Sequence, residues 1–245
     1  MKEVSLTVVS NERIAPGTWK MVLEGDTSAI KGSGQFINIS IPGLFLRRPI
    51  SVNDVDFTTV TLVYKVVGKG TAVMSGLKAG DKFDALTGLG NNFEIEACRK
   101  NALLLGGGVG AAPLYCLAKE LLATGRNVTV VLGFNNAAEA MLVNDFEQLG
   151  ARVEIATMDG SLGTKGFVTD VIAKGGIDFD YFYACGPLPM LKAVCKGIDK
   201  PGEVSLEERM GCGFGICYGC SCHTTDGPKR VCADGPIFKK EKMVW

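Results

Sequence analysis

Four cysteines near the C-terminus constrain this chain more than any other feature. They are spaced Cys212-x4-Cys217-x2-Cys220-x11-Cys232, and Gly211, Gly213, Gly215 and Gly219 lie beside or between the first three. Three thiols crowded on one loop with a fourth standing apart is the spacing of plant-type [2Fe–2S] ligation. Zinc also takes four thiolates, but structural zinc sites usually pair them as two short hooks. A Rieske centre needs two histidines, and the chain has only His223. A backbone wrapped around an anionic cluster must bring N–H groups close to its sulfurs, and glycine, lacking a Cβ, permits that approach. Cys222 is read as a non-ligand, because Cys220 already keeps the x2 interval from Cys217.

Composition narrows the function classes. The 245 residues exceed most single compact domains, and a hydrophobic content of 47% supports sizeable cores. Lys+Arg and Asp+Glu both number 26, so no net field favours nucleic acid. The apolar runs fall short of a membrane span, and the N-terminus lacks the long apolar region of a signal peptide. Nine cysteines is an odd count without a secretory signal; it points to reduced thiols in the cytoplasm, some of them metal ligands. A single histidine leaves little room for histidine-based triads or metal sites, so the demanding chemistry is expected of cofactors.

Two patterns divide the chain. From residue 1 to 97 apolar residues alternate: Val4, Leu6, Val8; then Trp19, Met21, Leu23; then Ile37, Ile39, Ile41; then Val60, Leu62, Tyr64, Val66. Period-two alternation broken by Gly, Asp and Pro turns predicts an antiparallel barrel or sandwich, with one short helix over Gly70–Leu77. From 98 to 205 short apolar strands (Ala102–Leu105, Val128–Leu132, Val153–Ala156, Tyr181–Ala184) alternate with helical spacing over Pro113–Thr124, Ala137–Leu149, Phe167–Lys174 and Pro187–Lys196. That order predicts a doubly wound parallel α/β sheet, with Val204–Leu206 as a last strand. Residues 206–245 hold the cysteines and a basic tail, Lys239-Lys-Glu-Lys242, read either as a docking segment or as solvated chain.

Gly106-Gly-Gly-Val-Gly-Ala-Ala-Pro113 joins the first α/β strand to its helix. A glycine-rich turn at a helix start can hold a pyrophosphate on backbone N–H groups, here through Gly106, Gly107, Gly108 and Gly110. The spacing is not the usual G-x-G-x-x-G, and a purely structural tight turn is the alternative. Cys185-Gly186-Pro187 ends a later strand, and ligands bind at the carboxyl ends of strands in open α/β sheets. Cys185 taken alone also reads as an ordinary buried thiol. No arginine for a 2′-phosphate appears in Gly133–Leu142, which favours NAD over NADP; Asp159 is either a ribose contact or an exposed loop carboxylate.

A strand-rich domain, then Gly106–Pro113, then Cys185-Gly-Pro resembles the ferredoxin–NADP⁺ reductase superfamily. The resemblance implies a flavin on the barrel, a nicotinamide nucleotide on the α/β domain, and an Arg-x-x-Ser/Thr motif, which Arg48-Pro-Ile-Ser51 matches. Arg47-Arg-Pro-Ile-Ser, Leu62-Val-Tyr-Lys65, Gly68-Lys-Gly-Thr71, Glu207-Glu-Arg-Met-Gly-Cys212 and Val231-Cys-Ala-Asp-Gly-Pro236 narrow it. Over essentially the whole chain they resemble the electron-transfer subunits of dihydroorotate dehydrogenase B. That resemblance implies FAD contacts at Arg48, Pro49, Ile50, Ser51, Val63, Tyr64, Lys65, Gly70 and Thr71, and cluster ligands at Cys212, Cys217, Cys220 and Cys232. The chain departs from the family's Pro-Gly-Gln-Phe at Ser33-Gly-Gln-Phe36 and from its Gly-Pro-Leu-Gly at Thr87-Gly-Leu-Gly90.

The expected architecture is a FAD-binding barrel over 1–97, an NAD-binding α/β domain over 98–205 and a small [2Fe–2S] domain over 206–245. The resemblance further implies an FMN-bearing catalytic subunit that oxidises dihydroorotate in pyrimidine biosynthesis, a heterotetramer of two plus two, and electron flow through the cluster and FAD to NAD⁺. In this scheme Ser51 tunes flavin N5 and nicotinamide lies near Cys185. Related flavin and [2Fe–2S] subunits of ferredoxin:NADP⁺ or sulfide oxidoreductases are the alternative within the class. Outside it stand a non-enzymatic redox sensor, which has no need of a nicotinamide site, and a storage flavoprotein, which leaves the cysteines unexplained.

Overall fold

Alternation over the first part of the chain builds strands β1 (Lys2–Ala15), β2 (Thr18–Glu24), β3 (Phe36–Ile39), β4 (Arg48–Val55) and β5 (Thr59–Lys65), a short helix α1 (Lys69–Ser75), and β6 (Lys82–Leu89) in the computed structural model, which describes all 245 residues. The six strands close into an antiparallel barrel in the order β1-β2-β5-β4-β3-β6. Its interior is filled by the inward set Leu6, Met21, Leu23, Ile37, Ile39, Leu62 and Tyr64, as period-two patterning requires. Closure leaves no unpaired edge. Tyr64 donates its hydroxyl proton to Asn11 Oδ1 at 3.0 Å, so its buried polar tip is satisfied.

The second half alternates strand and helix: β7 (Asn101–Gly107), α2 (Ala112–Ala123), β8 (Asn127–Phe134), α3 (Val143–Gln148), β9 (Arg152–Thr157), β10 (Thr164–Lys165), α4 (Val168–Ala173), β11 (Tyr181–Cys185), α5 (Leu188–Gly197) and β12 (Gly202–Ser205). Then come the hairpin β13 (Ser221–Thr224) and β14 (Gly227–Arg230), and a last strand β15 (Ile237–Lys239). The sheet order is β10-β9-β8-β7-β11-β12-β15, parallel throughout except that β15 runs antiparallel to β12. Two cores flank this sheet, one under α2 with Leu104, Leu117, Val130 and Tyr183, the other with Leu103, Leu105, Phe182 and Val204. No helix is long and apolar enough to cross a membrane.

Two sequence expectations are altered. The helix expected over Ala137–Leu149 begins only at Val143. Asn136 accepts the Glu139 N–H at 3.2 Å and closes a 3₁₀ turn over Ala137–Glu139, while Leu142 takes a positive φ of 61° that buries its side chain. The basic tail is solvent-exposed but not free. Phe238 and Ile237 pair β15 onto β12, Lys239 bridges Glu94 at 3.0 Å, and Lys242 bridges Asp226 at 2.9 Å.

Barrel and sheet meet along α2 and α3. Asn53 of β4 donates to the Ala112 carbonyl at 2.9 Å in a buried contact, Lys119 pairs with Asp54 at 3.0 Å, and Lys20 pairs with Asp145 at 2.7 Å. Ser33 donates its hydroxyl to Glu120 Oε2 at 2.6 Å and its N–H to Oε1 at 3.1 Å. This side chain adds a tie between barrel and helix.

Glu203 on β12 is 4% exposed and accepts the Glu94 N–H at 3.0 Å. Burial pushes its carboxyl up to about 7, with the Glu94 and Glu241 carboxylates adding to that rise and Lys239 opposing it. A folded-state pKa above the unfolded one means that the group's stabilisation is complete below about 4.5 and is lost as pH rises through about 7. Glu203→Gln is therefore expected to be more stable than the parent at pH 8.5, on the order of 3 kcal/mol, and to flatten the fall of melting temperature between pH 6 and 8.5. Parallel melting curves for parent and variant across that range would refute this.

Candidate redox site and its two cavities

The chain leaves the sheet after β12, runs through the cysteine segment, and returns at β15. Inside that excursion the thiols come together as two pairs rather than as one set around a single ion. Cys212 and Cys217 exchange N–H···S contacts at 3.4 and 3.5 Å, and Gly219 N–H adds a third at 3.5 Å to Cys217 Sγ. Cys232 N–H meets Cys220 Sγ at 3.4 Å, both residues being buried. Burial opposes ionisation of Cys212, yet N–H donors from Phe214, Cys217 and Ile216 together hold its thiol below the usual range. Burial and the adjacent Cys220 push Cys232 the other way. Two thiol pairs ringed by backbone donors fit a cluster whose two irons take two thiolates each.

Glycine is required at two points of this loop. Gly213 has φ of 80° and packs on the Asn38 side chain of β3, which in turn donates to the Cys212 carbonyl at 3.1 Å. Gly215 has φ of 93°, and a Cβ there would lie 2.8 Å from Ala233 Cβ. Cys222 packs against the second core of the sheet instead of joining either pair.

The barrel carries a cavity of about 670 Å³. Of the expected flavin contacts, Arg48, Pro49, Ile50 and Ser51 from β4, Val63, Tyr64 and Lys65 from β5, and Thr71 from α1 line it. Gly70 does not; it backs directly onto the Arg48 side chain, where a Cβ would clash. Thr71 Oγ accepts the Val67 and Gly68 N–H groups at 2.9 and 3.2 Å and so shapes the turn. Sequence reading left out Arg47, Arg209 and Met210, which also line the cavity. Arg47 Nη2 donates to Glu3 at 2.6 Å, while its buried Nη1 has no partner. An orphaned guanidinium donor beside a second arginine suits a phosphate-bearing ligand.

A second cavity of about 570 Å³ lies at the carboxyl ends of β7, β8 and β11. Gly107, Gly108, Gly110 and Gly186 line it, as expected, with Pro187 and Met190 opposite. Gly106 and Cys185 do not. A Cβ on Gly106 would press on Ala111 and Leu132, and Cys185 is buried, its thiol raised by desolvation. Asp159 does not reach the cavity either; its carboxylate accepts Ser161 N–H at 2.9 Å and Ser161 hydroxyl at 2.6 Å. One wall carboxylate is Glu139, held by Asn135 at 2.8 Å and facing Lys65 at 4.0 Å. The two cavities share Lys65, Val109 and Glu207. Glu207 stays exposed at that junction, and desolvation by the surrounding walls raises its carboxyl.

Comparison with known proteins agrees with this layout. Residues 104–196 match the oxidoreductase NAD-binding domain, and residues 207–244 match the iron–sulfur cluster binding domain of dihydroorotate dehydrogenase B. The chain is 42% identical over 252 residues to the dihydroorotate dehydrogenase B (NAD(+)) electron transfer subunit of Fusobacterium nucleatum, covering 97% of each. It is 43% identical over 256 residues to that of a Geobacillus species, covering 100% of this chain and 99% of the relative. Among solved structures, the NADH-dependent reduced ferredoxin–NADP oxidoreductase of flavin-based electron bifurcation superposes with a TM-score of 0.90 at 34% identity, over 98% of this chain and 90% of that one. An Amycolatopsis cytochrome P450 reductase gives 0.70 at 25% identity, over 80% and 65%. Full-length identity at that level, together with a cluster segment of the same kind, means that the chain belongs to the electron transfer subunits of NAD-dependent dihydroorotate dehydrogenase B.

Proposed function

We propose that this electron transfer subunit holds FAD in the barrel cavity, NAD(H) in the sheet-edge cavity and a [2Fe–2S] cluster on Cys212, Cys217, Cys220 and Cys232. The observation that carries this reading is adjacency. The two cavities share three wall residues, and the wall segment Glu207–Met210 runs straight into Cys212. When bound, the flavin supplies conversion between hydride and single electrons, and the cluster carries them one at a time. The division into 1–97, 98–205 and 206–245 then assigns one cofactor to each part.

The chain's own residues divide the binding work. Arg47 and Arg48 hold the diphosphate, with Gly70 leaving room for the Arg48 side chain. Ser51 offers its hydroxyl to the flavin ring edge, and Val63, Tyr64 and Lys65 line the opposite wall. Gly107, Gly108 and Gly110 offer backbone N–H groups to the nucleotide pyrophosphate. Cys185 supports that floor from below. Glu139, an anion where a 2′-phosphate would need a cation, favours NAD.

The partner is an FMN-bearing subunit that oxidises dihydroorotate, in a cytoplasmic heterotetramer of two plus two. The exposed apolar residues Phe214, Ile216 and Tyr218 surround the cysteine loop and are placed to exclude water where that partner docks. The 34% identity to the ferredoxin–NADP oxidoreductase supports a second reading with the same cofactors and a different partner. Anaerobic reconstitution separates the two. The chain is expected to bind one FAD and two irons and, mixed with the FMN subunit, to support reduction of NAD⁺ by dihydroorotate. Turnover with reduced ferredoxin alone, and none with the FMN subunit, would overturn the assignment of partner.

A further inference from the structure

One guanidinium ties the three-cysteine loop to the turn that carries Cys232. Arg230 ends β14, two residues before Cys232. Its Nη1 donates to the Gly215 carbonyl at 2.9 Å, midway between Cys212 and Cys217. Its Nε and Nη2 grip the Asp234 carboxylate at 2.9 and 3.0 Å, on the turn that carries Cys232. Its Cζ lies 5.1 Å from the ring of Tyr218, between Cys217 and Cys220. Asp234 Oδ2 also accepts the Arg230 N–H at 2.8 Å. A Cβ on Gly215 would sit 3.3 Å from Arg230 Nη1, so the loop is packed onto this side chain without slack.

An exposed ion pair that merely decorates a surface contributes little. This one differs in using three donors of a rigid fork to fix two separate chain segments. It also places one positive and one negative charge on the two segments that carry the thiols. An iron–sulfur cluster becomes more negative on reduction, and its potential depends on nearby charge and on hydrogen bonds to its sulfurs.

We propose that Arg230 and Asp234 are a positioning pair with two separable effects: the fork locks the three-cysteine loop against the Cys232 turn, and the balance of the two charges sets the cluster's reduction potential. The inference rests on the cluster reading given above. Its first effect is retention of iron, and its second is a potential that neither partner sets alone.

The test is an EPR-monitored redox titration, with the rate of iron loss to a chelator, on the full chain assembled with its partner subunit. Arg230→Met leaves Asp234 unbalanced and is expected to lower the potential and speed iron loss several-fold. Asp234→Asn leaves the arginine unbalanced and is expected to raise the potential. The double variant is expected to return near the parent potential while still losing iron quickly, and Arg230→Lys to keep the potential but not the retention. If Arg230→Met does not assemble, the Asp234→Asn and Arg230→Lys potentials still decide. Single variants that shift the potential in the same direction, or not at all, overturn the inference. A parent chain that binds no iron and gives no signal on reduction overturns the cluster reading itself, so the two failures are distinct.

Discussion

Cys217→Ser is expected to cut electron flow from dihydroorotate to NAD⁺ by at least about 100-fold, while NADH still reduces the bound flavin at close to the parent rate. Cys217 is the informative ligand to replace because it is exposed, whereas Cys220 and Cys232 are buried and their loss would disturb packing. Its sulfur receives N–H groups from Cys212 and Gly219. A serine oxygen in that place is a harder donor than thiolate, and iron–sulfur sites select the softer one. The cavity proposed for the nucleotide adjoins the flavin cavity at Lys65, Val109 and Glu207 and is not lined by the cysteine loop, so hydride exchange there is expected to survive. Stopped-flow bleaching of the flavin by NADH, set beside orotate formation by the assembled enzyme, reads the two halves separately. Undiminished orotate formation would remove the cysteine loop from the electron path.

Gly110→Ala is expected to weaken NAD(H) binding by about ten- to a hundredfold, corresponding to about 1–3 kcal/mol of overpacking, with flavin and iron content unchanged. A Cβ at Gly110 would stand 2.6 Å from the Cys185 carbonyl carbon and 2.7 Å from Gly186 Cα. Both are backbone atoms at the end of a central strand, held by pairing of β11 with β7 and β12, and they cannot swing aside as a side chain would. The strain must therefore open the floor of the nucleotide cavity, where Gly107, Gly108 and Gly186 meet. Titration of the oxidised subunit with NAD⁺ measures the affinity, and absorbance at the flavin and cluster bands reports their retention. Parent-like affinity would show that this loop is not the pyrophosphate cradle.

The same Gly110 contact shows how far the sequence could be read. Gly106–Pro113 could be picked out as a candidate nucleotide turn because a strand, a run of glycines and Pro113 at a helix start follow one another locally, and it lies within the segment that matches an NAD-binding domain. That Gly107, Gly108 and Gly110 face the cavity while Gly106 faces Leu132 depends on the helix packed above, so spacing alone could not sort them. Asp159 and Glu139 illustrate the same limit. Both are loop carboxylates after strands, but Ser161 engages one and the other reaches the cavity wall. Glu139 carries a faint signal, being the one acid in the Gly133–Leu142 segment where an arginine would have marked NADP. Strands β4 and β6 escaped the alternation pattern because β4 turns a buried Asn53 to α2 beside the inward Val52, and the inward positions of β6 include Ala85 and Thr87, which carry little hydrophobic signal.

Local chemistry determined what could be read without coordinates. Thiol spacing marked an iron–sulfur segment, in line with the cluster-binding family match over residues 207–244, and period-two and helical apolar spacing named the two main folds, since each of these depends on neighbours within a few residues; Arg48-Pro-Ile-Ser51 stood out only through the family resemblance. Tertiary structure alone decided the rest. It paired Cys212 with Cys217 and Cys220 with Cys232, brought Glu207 to the wall shared by both cavities, and tied the basic tail to the sheet through β15 and the Lys239–Glu94 bridge. Those outcomes depend on contacts between segments far apart in the chain, where closing the barrel, burying the sheet faces and satisfying buried N–H and carbonyl groups select the arrangement.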